Sequence, residues 1–226
     1  MAHSSTIGVL LSGGLDSSVL AAELLRRGHR VQPFYVRSGL YWEREELAAL
    51  RAFLRAIASR GLLEAVVLDL PLADLYGAHW SVDGREPPGA ETADRAVYLP
   101  GRNALLAIKP AIWCGLNGVR ELALAVLAGN PFADATDGFF RGFEAALEQA
   151  TGKRVAVVRP FAGMTKDDVV RLGRDLPLEL TCSCIAPREG LHCGRCNKCA
   201  ERQRAFRTTG IRDPTIYASQ TANIRD

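Results

Sequence analysis

Residues 7–18 read Ile-Gly-Val-Leu-Leu-Ser-Gly-Gly-Leu-Asp-Ser-Ser, and this stretch decides the fold. An apolar run at 7–11 ends in Ser-Gly-Gly at 12–14, and residues 16–25 then place apolar side chains at helical spacing. The order predicts a strand, a tight turn and a helix. Two consecutive glycines can adopt backbone angles that bring amide N–H groups toward an anion, and a helix N-terminus adds partial positive charge. The stretch therefore predicts an anion-binding loop at the carboxyl edge of a parallel sheet.

Strand and helix patterns alternate along the rest of the chain. Apolar strand-like runs occupy 31–36, 63–70, 122–127 and 155–158, and helical periodicity occupies 43–57, 102–117 and 138–149. The continuous apolar run at 63–70 is typical of a strand that is buried on both faces. The alternation predicts an α/β fold with a doubly wound, mainly parallel, five-stranded sheet and right-handed crossovers.

One long segment, 77–101, is rich in Gly, Pro, Asp and Glu and has no periodicity. Segments of this length without a secondary-structure pattern are usually functional loops or mobile lids. We expect this segment to border a site.

Composition and charge exclude several classes of protein. The chain has 226 residues, of which 48% are hydrophobic and 23% charged, as in globular proteins. The formal net charge is only +3, which indicates neither a nucleic-acid nor a membrane partner. A secretory signal pattern is missing, and no apolar run approaches the roughly 18 residues of a spanning helix. We therefore expect a cytoplasmic protein without a membrane or a stable nucleic-acid partner.

Crowded cysteines near the C-terminus indicate a metal site. The spacing C-x8-C-x2-C-x2-C is formed by Cys184, Cys193, Cys196 and Cys199. Four thiolates in tight turns suit tetrahedral Zn²⁺ and leave no open position for catalysis, which predicts one structural zinc ion per chain. Cys182 and His192 are alternative ligands in place of Cys184 or Cys193. Cys114 lies on an apolar helix face and is interpreted as a small buried hydrophobic residue.

The glycine-rich stretch also resembles a known signature. Its residues Ser12, Gly13, Gly14, Leu15, Asp16, Ser17 and Ser18 resemble the phosphate-binding motif of the PP-loop ATP pyrophosphatases, which have the adenine nucleotide alpha hydrolase-like fold. The resemblance implies that the chain binds ATP and that Asp16 helps to hold Mg²⁺. The alternative is a simple turn in which Asp16 or a serine caps the helix. Neither a Walker loop nor the Gly-x-Gly-x-x-Gly motif is present.

Further motifs narrow this resemblance. Pro-Gly-Arg-Asn at 100–103, Pro-Phe at 160–161 followed by Lys166, and the cysteine spacing are together similar to the 7-cyano-7-deazaguanine synthase family. Enzymes of that family convert 7-carboxy-7-deazaguanine to the nitrile with ATP and ammonia, in queuosine-type nucleoside biosynthesis. The resemblance implies a carbon–nitrogen ligase in which Asp16, Arg102 and Lys166 are catalytic. The alternative for Arg102 and Lys166 is ordinary surface charge.

We accordingly expect two parts. Residues 1–180 are predicted to form the PP-loop nucleotide-binding domain, and residues 181–226 are predicted to form a zinc knuckle with a C-terminal helix and arm. The expected partners are a small-molecule carboxylate and ammonia, with a homodimer, for which Tyr217 could provide a contact, as a further possibility.

Three segments depart from the family pattern. Residues 128–140 read Ala-Gly-Asn-Pro-Phe-Ala-Asp-Ala-Thr-Asp-Gly-Phe-Phe, residues 36–39 read Val-Arg-Ser-Gly, and residues 184–186 read Cys-Ile-Ala. We expect all three on the substrate side, so a diverged ligase that amidates another carboxylate is an alternative. Asp134 and Asp137 either bind a guanine-like edge or cap the helix that follows.

Two other functions remain open at this point. An RNA sulfurtransferase would need reactive thiols outside the zinc site, and only Cys114 and Cys182 are available. A zinc-knuckle module that binds nucleic acid through its basic helix would show affinity that falls steeply with salt.

Overall fold

Five parallel strands form one sheet at the centre of the molecule. The structure is a computed structural model that describes residues 5–221, with side chains from 5 to 219. Strands β1 to β5 span Thr6–Leu10, Arg30–Arg37, Val66–Asp69, Glu121–Ala123 and Ala156–Val158. Their order across the sheet is β3-β2-β1-β4-β5, and every neighbouring pair is parallel. The predicted five-stranded parallel sheet is confirmed.

The helices connect and cover these strands. Helices α1 to α9 span Leu15–Arg26, Glu43–Ala56, Ala73–Tyr76, Trp80–Asp83, Arg102–Leu116, Asp137–Thr151, Lys166–Leu172, Asn197–Thr209 and Ala218–Thr221. Short 3₁₀ helices lie at Asp94–Val97, Ala133–Ala135 and Leu178–Leu180. The four helices predicted by periodicity, at 16–25, 43–57, 102–117 and 138–149, are therefore present, with ends that differ by at most two residues. None of the helices in the described part of the chain has the length and hydrophobicity of a transmembrane segment.

Apolar side chains cover both faces of the sheet. On one face Val19 and Leu20 of α1 pack with Val169 of α7 and Phe206 of α8. On the other face α5 and α6 provide a second buried cluster that includes Cys114, which is wholly buried. This two-sided packing is the doubly wound arrangement, and it confirms the interpretation of Cys114 as a small hydrophobic residue.

Two strand predictions need correction. The run 63–70 was expected to be buried on both faces, but β3 covers only Val66–Asp69, and its residues alternate between half-buried and exposed. The reason is its position at the sheet edge, where it pairs with β2 alone and Val67 stays 40% exposed. The run 122–127 was expected to be a strand, but β4 ends at Ala123. Leu124 and Val126 beyond it are buried and border a cavity described below.

The order of the sheet places the site. β1 pairs with β2 on one side and with β4 on the other, so chain connections leave β1 and β4 in opposite directions. A crevice opens at the carboxyl ends of strands at such a switch point. The turns that carry Cys184, Cys193, Cys196 and Cys199 are called the cysteine knuckle. A third apolar cluster, which includes Leu40, Trp42 and Leu99, packs this knuckle next to the crevice. The division into parts at residue 180 stays a prediction.

Candidate active site

The loop after β1 has a backbone that only glycine can adopt. Gly13 has φ = +76°, and an ideal Cβ at this position would lie 2.4 Å from the backbone oxygen of Glu46 on α2. Both the left-handed conformation and the close approach of α2 exclude a side chain. The carbonyl oxygen of Gly13 accepts a hydrogen bond of 2.8 Å from the N–H of Cys182. The loop is thus fixed from α2 and from the segment that enters the cysteine knuckle.

The N-terminus of α1 carries no side-chain cap. Gly14 is the N-cap residue, and its N–H donates to Ser12 Oγ at 3.2 Å, while Ser17 Oγ accepts from Ser12 N–H at 3.2 Å. The alternative in which Asp16 or a serine caps the helix is therefore wrong. Uncapped N–H groups at the end of a 12-residue helix form a ready anion site.

Two cavities meet at this helix end, one of about 400 Å³ and one of about 210 Å³. Residues that line both are Ser12, Gly14, Asp16, Glu46, Arg102, Asn103 and Ala125. Leu15 lines the larger cavity and Ser17 the smaller one. Of the predicted loop residues, Gly13 and Ser18 line neither, because Gly13 packs on α2 and Ser18 is wholly buried.

A chain of charges crosses the larger cavity. Lys166 Nζ donates to Asp16 Oδ2 at 2.5 Å and lies 3.7 Å from Glu201 Oε2, which also pairs with Lys198 at 3.1 Å. Burial lowers the pKa of Lys166, but the carboxylates of Asp16 and Glu201 outweigh this effect and raise its pKa overall. Burial raises the pKa of Glu201, and the two lysines more than reverse this, so its pKa is lowered. Lys166 and Glu201 are therefore both charged at neutral pH.

Three buried polar atoms in the site have no hydrogen-bond partner among the described residues. They are Nε of Arg102, Oδ1 of Asp16 and Oδ1 of Asp134. The guanidinium of Arg102 lies over the ring of Trp42, 5.9 Å from its centroid, and borders both cavities. An unpaired guanidinium suits a phosphate or carboxylate, and an unpaired carboxylate oxygen suits a hard cation such as Mg²⁺.

Aromatic side chains form one wall of the larger cavity. Trp42 and Trp80 stack with centroids 5.7 Å apart, and Tyr98 and Phe132 stack at 4.9 Å. Trp80 and Tyr98 belong to the segment 77–101. The segment thus borders the larger cavity, and it contains α4 and a 3₁₀ helix rather than irregular loop alone. That this cavity is a functional site stays a prediction.

The two candidate substrate carboxylates are placed differently. Asp134 is buried at the larger cavity, where Oδ2 accepts from the Asn103 N–H at 2.9 Å and Oδ1 has no partner among the described residues. Asp137 is exposed, pairs with Arg159, and lines neither cavity. The cap of α6 is Thr136, whose side chain accepts from the Phe139 N–H. The structure thus brings Asp134 to the cavity and leaves Asp137 outside it.

The four predicted zinc ligands lie together. The sulfur atoms of Cys184, Cys193, Cys196 and Cys199 are all buried and within 4.8 Å of one another. Two of the pairs are 3.9 Å apart, and tetrahedral zinc with 2.3 Å bonds to sulfur requires about 3.8 Å between sulfurs. Backbone N–H groups donate to the sulfurs of Cys184, Cys193 and Cys196, as expected for thiolates. The donor set therefore fits a structural Zn²⁺ ion.

Neither alternative ligand replaces one of these four. His192 Nε2 accepts a hydrogen bond of 3.0 Å from the Ser183 N–H, and Cys182 lies outside the sulfur cluster, at the larger cavity. The ring of His192 packs edge-on against Tyr217, which is buried and donates to Asp213 at 2.6 Å. Tyr217 is thus occupied within its own chain and is not available as a dimer contact. Dimerisation itself stays a prediction.

Three groups of site residues were not predicted from the sequence. They are Glu46 on α2, Glu201 on α8 and the aromatic wall. Glu46 stands in the acidic opening of α2, where charged residues normally face solvent, and no spacing distinguishes it. Glu201 lies two residues after the last cysteine, so only its proximity to the knuckle could have singled it out.

Comparison with known proteins decides the family. The family described as "Queuosine biosynthesis protein QueC" matches residues 6–210 of this chain. The chain belongs to the QueC family. The match covers the loop after β1 at residues 12–18, here called the phosphate loop, together with the cavity walls and the cysteine knuckle.

Curated relatives agree with this assignment. A protein of Sphingopyxis alaskensis named 7-cyano-7-deazaguanine synthase 1 is 33% identical over 94% of this chain and 98% of the relative. A 7-cyano-7-deazaguanine synthase of Methanothrix thermoacetophila is 34% identical over 92% and 96%. Among solved structures, a 4-thiouridine synthetase in complex with RNA and ATP has a TM-score of 0.50 at 16% identity, over 91% of this chain and 50% of that one. This last likeness shows a shared fold.

Proposed function

We propose that this QueC-family protein converts 7-carboxy-7-deazaguanine and ammonia to 7-cyano-7-deazaguanine at the expense of ATP. The observation that carries the proposal is the meeting of two cavities at the uncapped N-terminus of α1, in a chain whose curated relatives bear the name of this synthase. One cavity is needed for the nucleotide and one for the carboxylate, and the phosphoryl group must pass between them.

The smaller cavity suits the nucleoside of ATP. Its walls include Leu10, Leu11, Leu106, Leu124 and Val126, which offer an apolar slot beside the phosphate loop. Val36 and Ser38 of the divergent segment 36–39 also line it. We expected that segment on the substrate side, and its position on the smaller cavity supports a place beside the nucleotide instead. The solved synthetase of the same fold also holds ATP.

The larger cavity suits a flat bicyclic acid. Trp42, Trp80, Tyr98 and Phe132 offer ring faces for stacking. The free Oδ1 of Asp134 can accept hydrogen bonds from the guanidine-like edge of a guanine ring. A volume of about 400 Å³ is within the range of small-molecule sites.

The charged residues would make the carboxylate reactive. A carboxylate oxygen is a poor leaving group. When it attacks an ATP phosphorus, the bond from that phosphorus to the neighbouring bridging oxygen breaks, and the product is an acyl–phosphate anhydride whose phosphate ammonia can displace. Arg102 and Lys166 would neutralise the charge that develops on the phosphates, and the α1 amides would orient them. Asp16 would hold Mg²⁺ through its free oxygen, and the ion would supply further neutralisation of phosphate charge. The amide oxygen needs the same activation again before the nitrile forms.

The direct test is product formation. The protein, magnesium, ATP, ammonium and 7-carboxy-7-deazaguanine should yield the nitrile by mass spectrometry, and Lys166→Met should reduce the rate by a factor of 10² or more. Lys153→Met, an exposed lysine after α6, is the matched control. Absence of nitrile at every ammonium concentration would contradict the proposal.

A diverged ligase is the second candidate, because residues of two divergent segments, Asn130, Phe132 and Ile185, line the larger cavity. ATP turnover across a panel of carboxylic acids separates the two. A different acid that stimulates turnover and is amidated would favour this alternative.

The structure supports the remaining alternatives less well. Burial raises the pKa of both Cys114 and Cys182 to about 12, so neither thiol is a ready nucleophile for sulfur transfer. Arg202 of the basic helix is buried and bonded internally, and is not available to nucleic-acid phosphates. RNA binding whose affinity falls steeply with salt would favour the alternative of a nucleic-acid-binding module.

A further inference from the structure

Glu46 is a carboxylate that borders both cavities. It lies on α2, and its backbone oxygen packs against Gly13 of the phosphate loop. The hydroxyl of Tyr35 donates to Glu46 Oε2 at 3.2 Å. Asp16, the other carboxylate that borders both cavities, is paired with Lys166. Within residues 5–219, Glu46 forms no salt bridge, so no lysine or arginine side chain neutralises its carboxylate by direct contact.

The surroundings of Glu46 bring its titration close to neutrality. Burial, the largest cause, raises the pKa of Glu46, and the nearby charge of Glu43 raises it further. The charge of Arg102 and the hydrogen bonds from Tyr35 and Trp42 act in the opposite direction and lower it, which leaves the pKa at about 7. A general base works best when its pKa lies near the working pH. Glu46 therefore has the acidity that a proton acceptor needs, at the place where the two cavities join.

The proposed reaction requires such an acceptor. Ammonia brings three hydrogens, and a nitrile nitrogen carries none, so three protons must leave that nitrogen. The other carboxylates of the larger cavity are less suited: Glu201 is paired with two lysines, Asp134 with Asn103, and Asp94 is exposed and absent from the smaller cavity. The thiol of Cys182 is protonated at neutral pH because burial raises its pKa.

We propose that Glu46 is the general base of the amination, an inference that rests on the proposed function. The ammonia lone pair forms a bond to the activated carboxyl carbon, and the adduct then carries a positive nitrogen. Glu46 takes a proton from that nitrogen as the carbon–oxygen bond to the phosphoryl group breaks, and the bonding pair leaves on the phosphate oxygen. The products are the amide, the nucleotide fragment and a protonated Glu46, which returns its proton to solvent.

The test separates activation from amination. Positional isotope exchange in ATP, measured with 7-carboxy-7-deazaguanine and without ammonia, reports activation alone, and nitrile formation reports both steps. Glu46→Gln should keep the exchange within a few-fold of wild type and lower nitrile formation by about 10²-fold or more. Glu64→Gln, an exposed carboxylate before β3, is the matched control and should retain both. Thermal denaturation checks that each variant is folded.

The pH profile gives a second readout. When kcat/KM is expressed per unprotonated ammonia, the wild type should lose activity as pH falls below about 7, the pKa of Glu46. Tyr35→Phe removes a hydrogen bond that favours the charged carboxylate, so the pKa of Glu46 should rise. The loss of activity at low pH should therefore begin at a higher pH than in the wild type. A structural role of Glu46 predicts no such movement.

The outcomes are distinguishable. If the wild type shows neither isotope exchange nor nitrile formation, both the proposed function and the role of Glu46 are wrong. If the wild type is active and Glu46→Gln forms nitrile as fast with an unchanged profile, only the assignment of Glu46 is overturned. Loss of exchange and amination together in Glu46→Gln would also overturn it.

Discussion

Gly13 meets two separate demands at the residue scale. Its backbone is left-handed, and its α-carbon faces the backbone of α2 at a distance that leaves no space for a methyl group. The sequence predicted the first demand from the glycine pair. The second follows from the packing of α2, which no local pattern reveals.

Gly13→Ala should therefore be more harmful than an alanine at another left-handed glycine. Gly118→Ala has φ = +71° and no atom within 4 Å of the new methyl group, so it should lose only the conformational term of about 1–2 kcal/mol. Gly13→Ala carries the same term and a backbone clash, and should also lose ATP-dependent activity because α2 or the loop must move. Urea denaturation and nitrile formation measure the two effects. Equal losses for both variants would contradict this account.

At the scale of elements, α8 has two roles. Its first turn carries the last zinc ligand, and the next turn carries Glu201 toward the cavity and Arg202 into the interior. The guanidinium of Arg202 donates to Thr215 at 2.7 Å, Thr181 at 2.8 Å and the Leu178 carbonyl at 2.8 Å. Arg202 thus joins α8 to the segment before the knuckle and to the segment after α8.

Arg202→Met should lower the free energy of unfolding by about 3–5 kcal/mol, since it leaves buried hydrogen-bonding groups without their charged partner. Arg204→Met, on the exposed face of the same helix, should change it by no more than about 0.5 kcal/mol. Urea denaturation of both variants measures the difference. Similar stabilities for the two would show that Arg202 does not join these segments.

Element types were predictable because periodicity reports burial on one face. Burial patterns that depend on neighbouring strands were not: Val67 looks like a core residue in sequence, and its position on an edge strand leaves it 40% exposed. Likewise Leu124 and Val126 extend an apolar run, but they are buried beside the smaller cavity and not within a strand.

At the scale of the whole molecule, the cysteine knuckle closes the site. It supplies Cys182 to the phosphate loop and Glu201 to Lys166, and it lies against Trp42 and Leu99 in one apolar cluster. A structural zinc ion can contribute on the order of 10 kcal/mol, which is similar to the whole stability of a domain. The metal is therefore expected to support activity from outside the reacting groups.

Zinc removal should reveal this connection. Chelation, or Cys196→Ser, should release about one zinc ion per chain, lower the melting temperature and abolish nitrile formation. Elemental analysis, thermal denaturation and activity follow the three effects, and Cys114→Ala is a cysteine control that should keep its zinc. A zinc-free protein with unchanged stability and activity would contradict a structural metal.

Sites formed by residues that are close in sequence were predictable, whereas contacts between residues that are distant in sequence were not. The zinc ligands follow from spacing alone, and the phosphate loop follows from two glycines before a helix. Glu46 and Trp80 come from distant segments with no motif of their own, and only the packing of α2 and of the segment 77–101 brings them to one cavity.

The central claim is that ATP activates the substrate carboxylate at the junction of the two cavities. Oxygen-18 in both carboxylate oxygens of 7-carboxy-7-deazaguanine tests it most directly, with mass spectrometry of every product. Activation by ATP predicts that both labelled oxygens appear in phosphate groups of the nucleotide products as the nitrile forms. Label released into water, with unlabelled phosphates, would contradict the account.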